Sequence, residues 1–322
     1  MNRLLAAAGG LLACLAMGQE FPKAEIGTRL IQTKLYLPDP AKGYYRATRF
    51  DWSGIISSLR YAGHEYFGQW FPKHDPLIHD AIMGPVEVFD PDSGGPGYAE
   101  AQPGGTFIRI GIGVVEKPQE AAFGQFRTYK IVDPGVWKVR QGKDWIEFSQ
   151  TLTGKSGYAY VYTKRISLAP GKPEMTIAHT LSNKGSKELD TTQYNHNFFM
   201  IDHQPSGPGL TIKFPFELKA VASFRGFLET RGRELVYLKG FEGQQSAQSL
   251  LEGFGPSAKD YDITIENRNS GAGVRITGDR PLVRINFWTR TETSCPEPYV
   301  RLRVPPGKTG KWAIRYQFYT LK

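Results

Sequence analysis

The chain has 322 residues, of which 40% are hydrophobic and 13% aromatic, with 36 glycines and 22 prolines. This composition holds too much apolar material for a disordered chain and too few cysteines for a disulfide scaffold, and no regular glycine period suggests collagen. The net charge of +9 comes from 40 basic and 31 acidic residues that are interspersed along the chain, so a groove for nucleic acid or another polyanion is not expected.

The first 18 residues have the pattern of a secretory signal. A basic start at Arg3 precedes an apolar run, Leu4 to Met17, that is too short to span a bilayer, and Ala16-Met17-Gly18 is a small-residue cleavage site. An alternative reading makes Cys14 a lipidated residue, because Leu11-Leu12-Ala13-Cys14 approximates a lipobox. The sequence therefore predicts export to the periplasm or medium, with residues 19–322 as the mature domain and a membrane anchor only if Cys14 carries lipid.

Strand signals run through the mature chain from end to end. Tyr158, Tyr160 and Tyr162 alternate with other residues up to Leu168, a Pro/Gly turn follows, and residues 175–181 alternate again, as in an antiparallel hairpin. Similar runs occur at residues 106–115, 145–152, 210–214, 261–265, 274–277, 282–288, 300–304 and 312–318. Only residues 244–253 carry a helix signal. Many strands between Gly/Pro turns, with no alternation of strand and helix, predict an all-β fold with one large antiparallel sandwich.

Residues 71–105 interrupt this rhythm with six prolines and with scattered acids and histidines. Such a composition predicts a long surface loop rather than a strand. Loops of this length are uncommon in compact domains and often bind ligands, so we expect this segment to form part of a site rim.

Several kinds of catalytic site are not supported by the motifs in the chain. His74-x4-His79 falls on a proline-interrupted segment, and neither His-Glu-x-x-His nor Cys-x-x-Cys occurs, so a metal site is not expected. There is no Gly-x-Ser-x-Gly elbow for a nucleophilic serine, and Cys295 is followed by proline, without a basic neighbour in sequence. Gly94-Gly95-Pro96-Gly97 precedes no Lys-Ser/Thr, which argues against a phosphate cradle.

Two segments remain that fit proton transfer. His196 stands between two asparagines and before two aromatic residues, where the alternatives are a capped loop with a hydrogen-bonded histidine and a functional residue. Glu297 stands between two prolines, where the alternatives are an ordinary turn carboxylate and a positioned one. A histidine and a carboxylate on rigid segments are sufficient equipment for general acid and base chemistry on a neutral substrate.

The order of several short motifs resembles the aldose 1-epimerase, or galactose mutarotase-like, superfamily. A strand that closes on Leu181-Ser-Asn183 precedes Tyr194-Asn-His-Asn-Phe-Phe199, and Val274–Thr277, Cys295-x-Glu297 and Pro306-Gly307 follow in the family's order. Residues 49–70 are similar to its opening hairpin. The resemblance covers nearly the whole mature chain and implies a β-supersandwich fold, a carbohydrate as partner and interconversion of sugar anomers without a cofactor.

By this resemblance, His196 is the general acid that protonates the ring oxygen of the sugar. Glu297 is then the general base that takes the proton from the anomeric hydroxyl. Asn195, from the same motif, joins the candidate sugar contacts. The pairing implies that the two catalytic side chains line one pocket, separated by about the width of a pyranose ring.

The remaining candidate sugar contacts come from a departure from the family pattern and from aromatic residues. The family's upstream His-Gly-x-x-Arg element corresponds here to Gly105–Arg109, so Arg109 is a candidate contact but the histidine is missing. Either His74 or His79 replaces that histidine, or the sugar is held differently. Trp70 and Tyr299 are the aromatic candidates, because the apolar faces of sugars stack on such rings.

Two other functions stay open at this point. Loss of the upstream histidine also fits a non-catalytic carbohydrate-binding or accessory protein of the same fold, which needs only the aromatic contacts. An exported basic protein also fits a polysaccharide lyase-like enzyme with an acidic substrate, which needs a Tyr or His base beside Arg or Lys.

Overall fold

The computed structural model describes residues 20–154 and 156–322, so the predicted signal segment and Cys14 lie outside the described residues. The first eight strands are β1 (Lys23–Gly27), β2 (Ile31–Tyr36), β3 (Ile55–Tyr61), β4 (His64–Glu65), β5 (Gly84–Phe89), β6 (Thr106–Arg109), β7 (Gly113–Glu116) and β8 (Ile131–Asp133). The next eight are β9 (Val136–Gln141), β10 (Trp145–Thr153), β11 (Ala159–Leu168), β12 (Glu174–Asn183), β13 (Leu189–Phe198), β14 (Leu210–Lys213), β15 (Lys219–Ala220) and β16 (Leu228–Arg231). The last seven are β17 (Glu234–Tyr237), β18 (Ser246–Glu252), β19 (Asp262–Asn267), β20 (Ala272–Gly278), β21 (Arg284–Arg290), β22 (Thr293–Val304) and β23 (Thr309–Thr320).

Two large sheets dominate the architecture. A ten-stranded sheet has the order β16-β17-β14-β19-β20-β23-β12-β11-β10-β9, and a six-stranded sheet has the order β15-β18-β21-β22-β13-β5. Neighbouring strands in both sheets pair antiparallel. Smaller sheets of β1 to β4 and β6 to β8 complete the fold. The predicted all-β class with one large antiparallel sandwich is confirmed.

Alternation of side chains explains why the two sheets pack together. Along β12 every second residue is buried, as the hairpin pattern predicts, so Met175, Ile177 and Leu181 face the interior. Ile166 of β11, Ile285 of β21 and Leu302 of β22 belong to the same apolar core, which therefore draws on both sheets. Burying one such side chain contributes roughly 1.5–3 kcal/mol, so the core supplies the main stabilisation.

The two short helical turns of the described chain are 3₁₀ turns at Ile201–His203 and Ala258–Asp260. Among the residues described, no helix has the length and apolar character that crossing a membrane requires. The helix expected at residues 244–253 is a strand, β18, in which Ala247, Ser249 and Leu251 face inward with a period of two. Pairing with β21 outweighs the local helix signal there.

The segment 71–105 is not one continuous loop, because it contains the buried strand β5. Pro85 lies within this strand, and β5 is at the edge of the six-stranded sheet, where a missing backbone donor is tolerated. The expected strand 106–115 is likewise two strands, β6 and β7. Gly111, with φ of 77°, lies in the turn between them, in a conformation that favours glycine.

Candidate active site

A pocket of about 250 Å³ lies on the face of the six-stranded sheet that points away from the ten-stranded sheet. Its floor comes from alternate positions of four strands: Tyr194, His196 and Phe198 of β13, Glu297 and Tyr299 of β22, Arg284, Asn286 and Trp288 of β21, and Gln248 and Leu250 of β18. Loop residues form the walls: Arg49, Trp70, Asp80, Asp92, Gln125 and Phe126. The period of two places the strand side chains on one face, so a sheet builds most of the site.

His196 and Glu297 meet on the floor of this pocket. Tyr194 pairs with Tyr299 across the antiparallel strands β13 and β22, so His196, two residues after Tyr194, faces Glu297, two residues before Tyr299. Their Nε2 and Oε1 atoms are 3.2 Å apart, and each side chain is 4% exposed. Both residues thus lie within strands, not in a loop and a turn. They share one pocket, but they are in direct contact instead of a pyranose ring apart, which corrects the expected separation.

The surroundings of His196 favour its neutral form. Its ring stacks on Phe198 at 3.8 Å and meets the edges of Phe50 and Trp288, each at 5.8 Å. Burial by these rings lowers the pKa of His196 well below its usual value, and the nearby charge of Arg49 lowers it further. Within the described chain, the Nδ1 atom of this histidine has no hydrogen-bond partner.

The surroundings of Glu297 also favour its neutral form. Burial raises its pKa to about 7, although Asn286, Arg49 and Arg284 each act in the opposite direction. Asn286 donates from Nδ2 to Oε2 of the carboxylate at 2.9 Å. At pH values somewhat below 7, the pair therefore holds one proton, and that proton rests on Glu297.

Arg49 and Asp80 form one wall of the pocket, and the sequence motifs did not reveal them. Their side chains make an ion pair. The Arg49 guanidinium lies between two rings, with Cζ at 4.7 Å from the centroid of Phe50 and 4.8 Å from that of Phe126. It also donates to the hydroxyl of Tyr194 at 3.4 Å. A rigid guanidinium and a carboxylate at this wall offer hydrogen-bond donors and acceptors to a polar ligand.

Both predicted aromatic contacts, Trp70 and Tyr299, line the pocket. Trp70 stacks on Phe198 at 4.9 Å and donates through Nε1 to the carbonyl of Ile82. Tyr299 lies under the guanidinium of Arg284, whose Cζ is 3.8 Å from the ring centroid. Each ring is therefore fixed by its own partners before any ligand binds.

Arg109 is placed differently from its predicted role as a sugar contact. It is 1% exposed and does not line the pocket. Its guanidinium donates to the backbone carbonyls of Thr48 at 3.3 Å, Arg49 at 3.4 Å and Asp90 at 3.0 Å. Arg109 instead holds the backbone of the loop that presents Arg49, so it supports the pocket wall from behind.

Neither of the predicted loop histidines lines the pocket. His74 stacks on Tyr44 at 3.9 Å, and its Nε2 lies 2.8 Å from the carbonyl of that tyrosine, so its hydrogen bond is used for structure. His79 is closer to the site, with Nδ1 at 2.9 Å from Oδ2 of Asp80 and its ring 5.0 Å from that of Phe126. His79 therefore packs behind the wall instead of replacing the missing histidine.

Asn195 also lies away from the pocket, because successive residues of β13 point to opposite faces. It donates from Nδ2 to Glu87 at 3.0 Å, in a group that we call the inner charge cluster: Asp51, Glu87, Lys164 and His179. Lys164 pairs with Glu87 and lies 3.9 Å from Asp51. His179 approaches Glu87 at 3.0 Å. All four side chains are buried between the two large sheets, so Asn195 links the strand of His196 to this cluster.

In residues 20–154 and 156–322, no group of three or more His, Cys, Asp or Glu side chains is arranged to hold a metal ion. Chemically, the pocket offers one buried acid and base pair, planar polar groups and aromatic rings.

No protein-family model matches the chain, and no curated protein matches it in sequence. Solved structures do match it in fold. A galactose mutarotase-like protein from Lactobacillus casei has a TM-score of 0.56 and 12% identity over 92% of this chain and 100% of its own. A galactose mutarotase related enzyme from Lactobacillus acidophilus has a TM-score of 0.57 and 11% identity, over 93% and 98% of the two chains. The aldose epimerase homologue from C. elegans has a TM-score of 0.57 and 12% identity, over 95% and 100%. The chain therefore has the galactose mutarotase-like fold predicted from the motif order.

Proposed function

We propose that the protein is an aldose 1-epimerase-like enzyme that interconverts the anomers of a sugar by proton transfer at His196 and Glu297. The observation that carries this proposal is the 3.2 Å contact between the imidazole and the carboxylate on the floor of a small pocket. The pocket volume of about 250 Å³ lies below the roughly 300–1,000 Å³ of sites for drug-sized ligands, so it suits a ligand the size of one sugar ring.

The chemistry requires one proton to enter and one to leave. When the ring opens, the bond between the anomeric carbon and the ring oxygen breaks, the ring oxygen gains a proton and the anomeric hydroxyl loses one. These two oxygens are bonded to the same carbon, so a donor and an acceptor in contact with each other can reach both. Closing the ring on the other face of the carbonyl reverses both transfers and produces the other anomer.

The pair is suited to this exchange because it holds a single proton. Below about pH 7 the proton rests on Glu297 in the free protein, so the carboxyl group can donate while the neutral imidazole of His196 accepts. The family resemblance implies the opposite assignment, in which His196 donates and Glu297 accepts. That assignment needs the same total number of protons on the pair. Ring opening and closing exchange the two roles, so the pair works as a unit in both directions.

The test is the rate of anomer interconversion, measured by polarimetry or NMR exchange on common hexoses, pentoses and uronic acids. We expect the protein to accelerate at least one of them. Because the active pair must keep its proton, kcat/KM is expected to fall as the pH rises above about 7, the pKa of Glu297, by about tenfold per pH unit. A rate that keeps rising up to pH 9 contradicts the one-proton pair.

A second candidate function is a non-catalytic sugar-binding protein of the same fold. The observation that favours it is Gly105, which stands where the family carries a histidine and has no side chain for a hydrogen bond. Neither His74 nor His79 lines the pocket in its place. Sugar binding with an unchanged spontaneous rate of interconversion for every sugar in the panel decides for this candidate.

We also propose that the protein is exported, on the strength of the apolar run and the small-residue site at residues 16–18. The mature protein is then expected to begin at Gln19, or at Cys14 with lipid attached. Mass spectrometry of the protein isolated from its native host distinguishes the two forms. An intact Met1 contradicts both.

A further inference from the structure

The depth of the reacting pair fixes how a sugar must enter the pocket. His196 and Glu297 are on the floor, with side chains only 4% exposed. The anomeric carbon must therefore reach the floor, and the ring carbons furthest from it must lie toward the mouth. Glycosidic bonds to the next residue of a chain are made at those distant hydroxyls, so a longer sugar would leave the pocket through its mouth.

Phe126 is an unusually exposed aromatic ring at this mouth. It lines the pocket, yet it is 54% exposed. The guanidinium of Arg49 covers one side of the ring, with Cζ 4.8 Å from the centroid. The His79 ring lies 5.0 Å from it at a tilted angle, and over half of the residue's surface remains open to solvent. Leu250, on β18, lines the same pocket and is 43% exposed, so the mouth has two apolar surfaces that a single sugar on the floor does not cover.

The loop that carries Phe126 is fixed in place. Glu120, whose side chain is 5% exposed, accepts from the hydroxyls of Tyr98 at 3.0 Å and Tyr129 at 3.1 Å and pairs with Arg127 at 3.0 Å. On the other side of Phe126, the hydroxyl of Thr128 donates to the backbone carbonyl of residue 77. The ring is thus held ready before a ligand arrives, which lowers the entropy cost of stacking on it.

We propose that the mouth of the pocket is a second sugar subsite, in which Phe126 stacks on the residue attached to the sugar on the floor. The ligand is then the reducing end of an oligosaccharide, not a free monosaccharide alone. This inference deepens the proposed function and rests on it for the orientation of the first sugar. It gives a role to exposed apolar surface that the chemistry on the floor does not use.

The experiment compares four monosaccharides with the disaccharides that carry them at the reducing end: glucose with cellobiose, galactose with galactobiose, mannose with mannobiose, and xylose with xylobiose. Binding is measured by calorimetry, and anomer interconversion is measured by NMR exchange. At least one disaccharide is expected to bind about five-fold more tightly than its monosaccharide, the scale of one aromatic stacking contact. Phe126→Leu, which still covers Arg49, is expected to abolish that ratio, whereas Phe126→Tyr is expected to keep it.

Val136→Ala is the matched control, because Val136 is 60% exposed and lies on β9, away from the pocket. It is expected to leave the ratio unchanged. A ratio near one in all four pairs overturns the subsite even if monosaccharide anomers are interconverted. A Phe126-dependent ratio without any interconversion supports the subsite and overturns only the proposed enzyme. A ratio that survives Phe126→Leu overturns the subsite. Failure of the protein to bind any of the eight sugars also overturns the subsite.

Discussion

Replacing Glu297 by glutamine is expected to slow anomer interconversion by roughly 100-fold or more while sugar affinity changes little, since this is the usual scale for a positioned acid or base. Glutamine keeps the shape of the side chain, and its carbonyl oxygen can still accept from Asn286. It can neither give nor take a proton in the reaction. NMR exchange gives the rate and calorimetry the affinity. Glu252→Gln, at a side chain 58% exposed on β18, is the control and should keep the full rate.

Protein stability separates this chemical effect from damage to the fold. The pKa of Glu297 is raised in the folded protein, from its ordinary 4.5 to about 7, so its contribution to stability is present below pH 4.5 and is lost as the pH rises through 7. The free energy of unfolding falls by roughly 3 kcal/mol through this loss. Glutamine does not ionise, so the variant does not undergo it. Thermal unfolding at pH 8 should therefore show a variant at least as stable as the wild type. A lower melting temperature for the variant at pH 8 would contradict the raised pKa of Glu297.

The partner substitution tests whether the two residues act as one unit. His196→Asn is expected to reduce the rate to a similar extent. If the two residues share one proton, the double variant should lose much less than the product of the two single losses. Multiplicative losses would mean that His196 and Glu297 act in separate steps.

The strand pattern shows why the sequence predicted the fold better than the site. The strands β10, β11, β12, β18, β19 and β23 alternate between buried and more exposed residues, so their period of two is visible in the sequence. From Thr191 to Phe198, the residues on both faces of β13 are polar or aromatic: His196 faces the pocket, while Asn195 contacts Glu87 and Asn197 accepts from the hydroxyl of Tyr316. Because both faces are buried in polar surroundings, the alternation was hidden and the segment resembled a loop.

The pocket walls depend on tertiary contacts that leave no local pattern. Arg49, Asp80 and Phe126 come from three separate loops and meet only in the folded chain. The role of Arg109 cannot be predicted from its residue type, because an arginine that binds backbone carbonyls and an arginine that binds a sugar look alike in sequence. By contrast, Arg284 and Trp288 share the spacing of two with Asn286 on β21, and that spacing could have identified them.

The charged groups of the inner charge cluster are buried away from water, and buried charges destabilise a protein unless they are paired. Burial acts to raise the pKa of Glu87, but Lys164 and His179 outweigh it and lower that pKa to about 2. For Asp51 burial prevails over Lys164, and its pKa rises to about 6. Lys164 also donates to the carbonyl of Ser53 at 2.8 Å. One ammonium group therefore lies beside two buried carboxylates and outweighs the cost of burial at only one of them, Glu87.

Replacing Lys164 by methionine is expected to destabilise the protein at pH 7 by about 3–5 kcal/mol, the cost of leaving one side of a buried ion pair unpaired. The loss should depend on pH. With Lys164 present, the lowered pKa of Glu87 stabilises the fold above pH 4.5 and that contribution disappears as the pH falls toward 2. Without Lys164, burial raises the pKa of both carboxylates, so their protonation makes the variant less destabilised as the pH falls from 7 to 5.

Chemical denaturation across this pH range measures the difference in stability. Lys138→Met, at an exposed lysine of β9, is the control and should change stability by less than about 0.5 kcal/mol. A loss for Lys164→Met that is equally large at pH 5 and pH 7 would show that packing, not charge, is what the lysine provides.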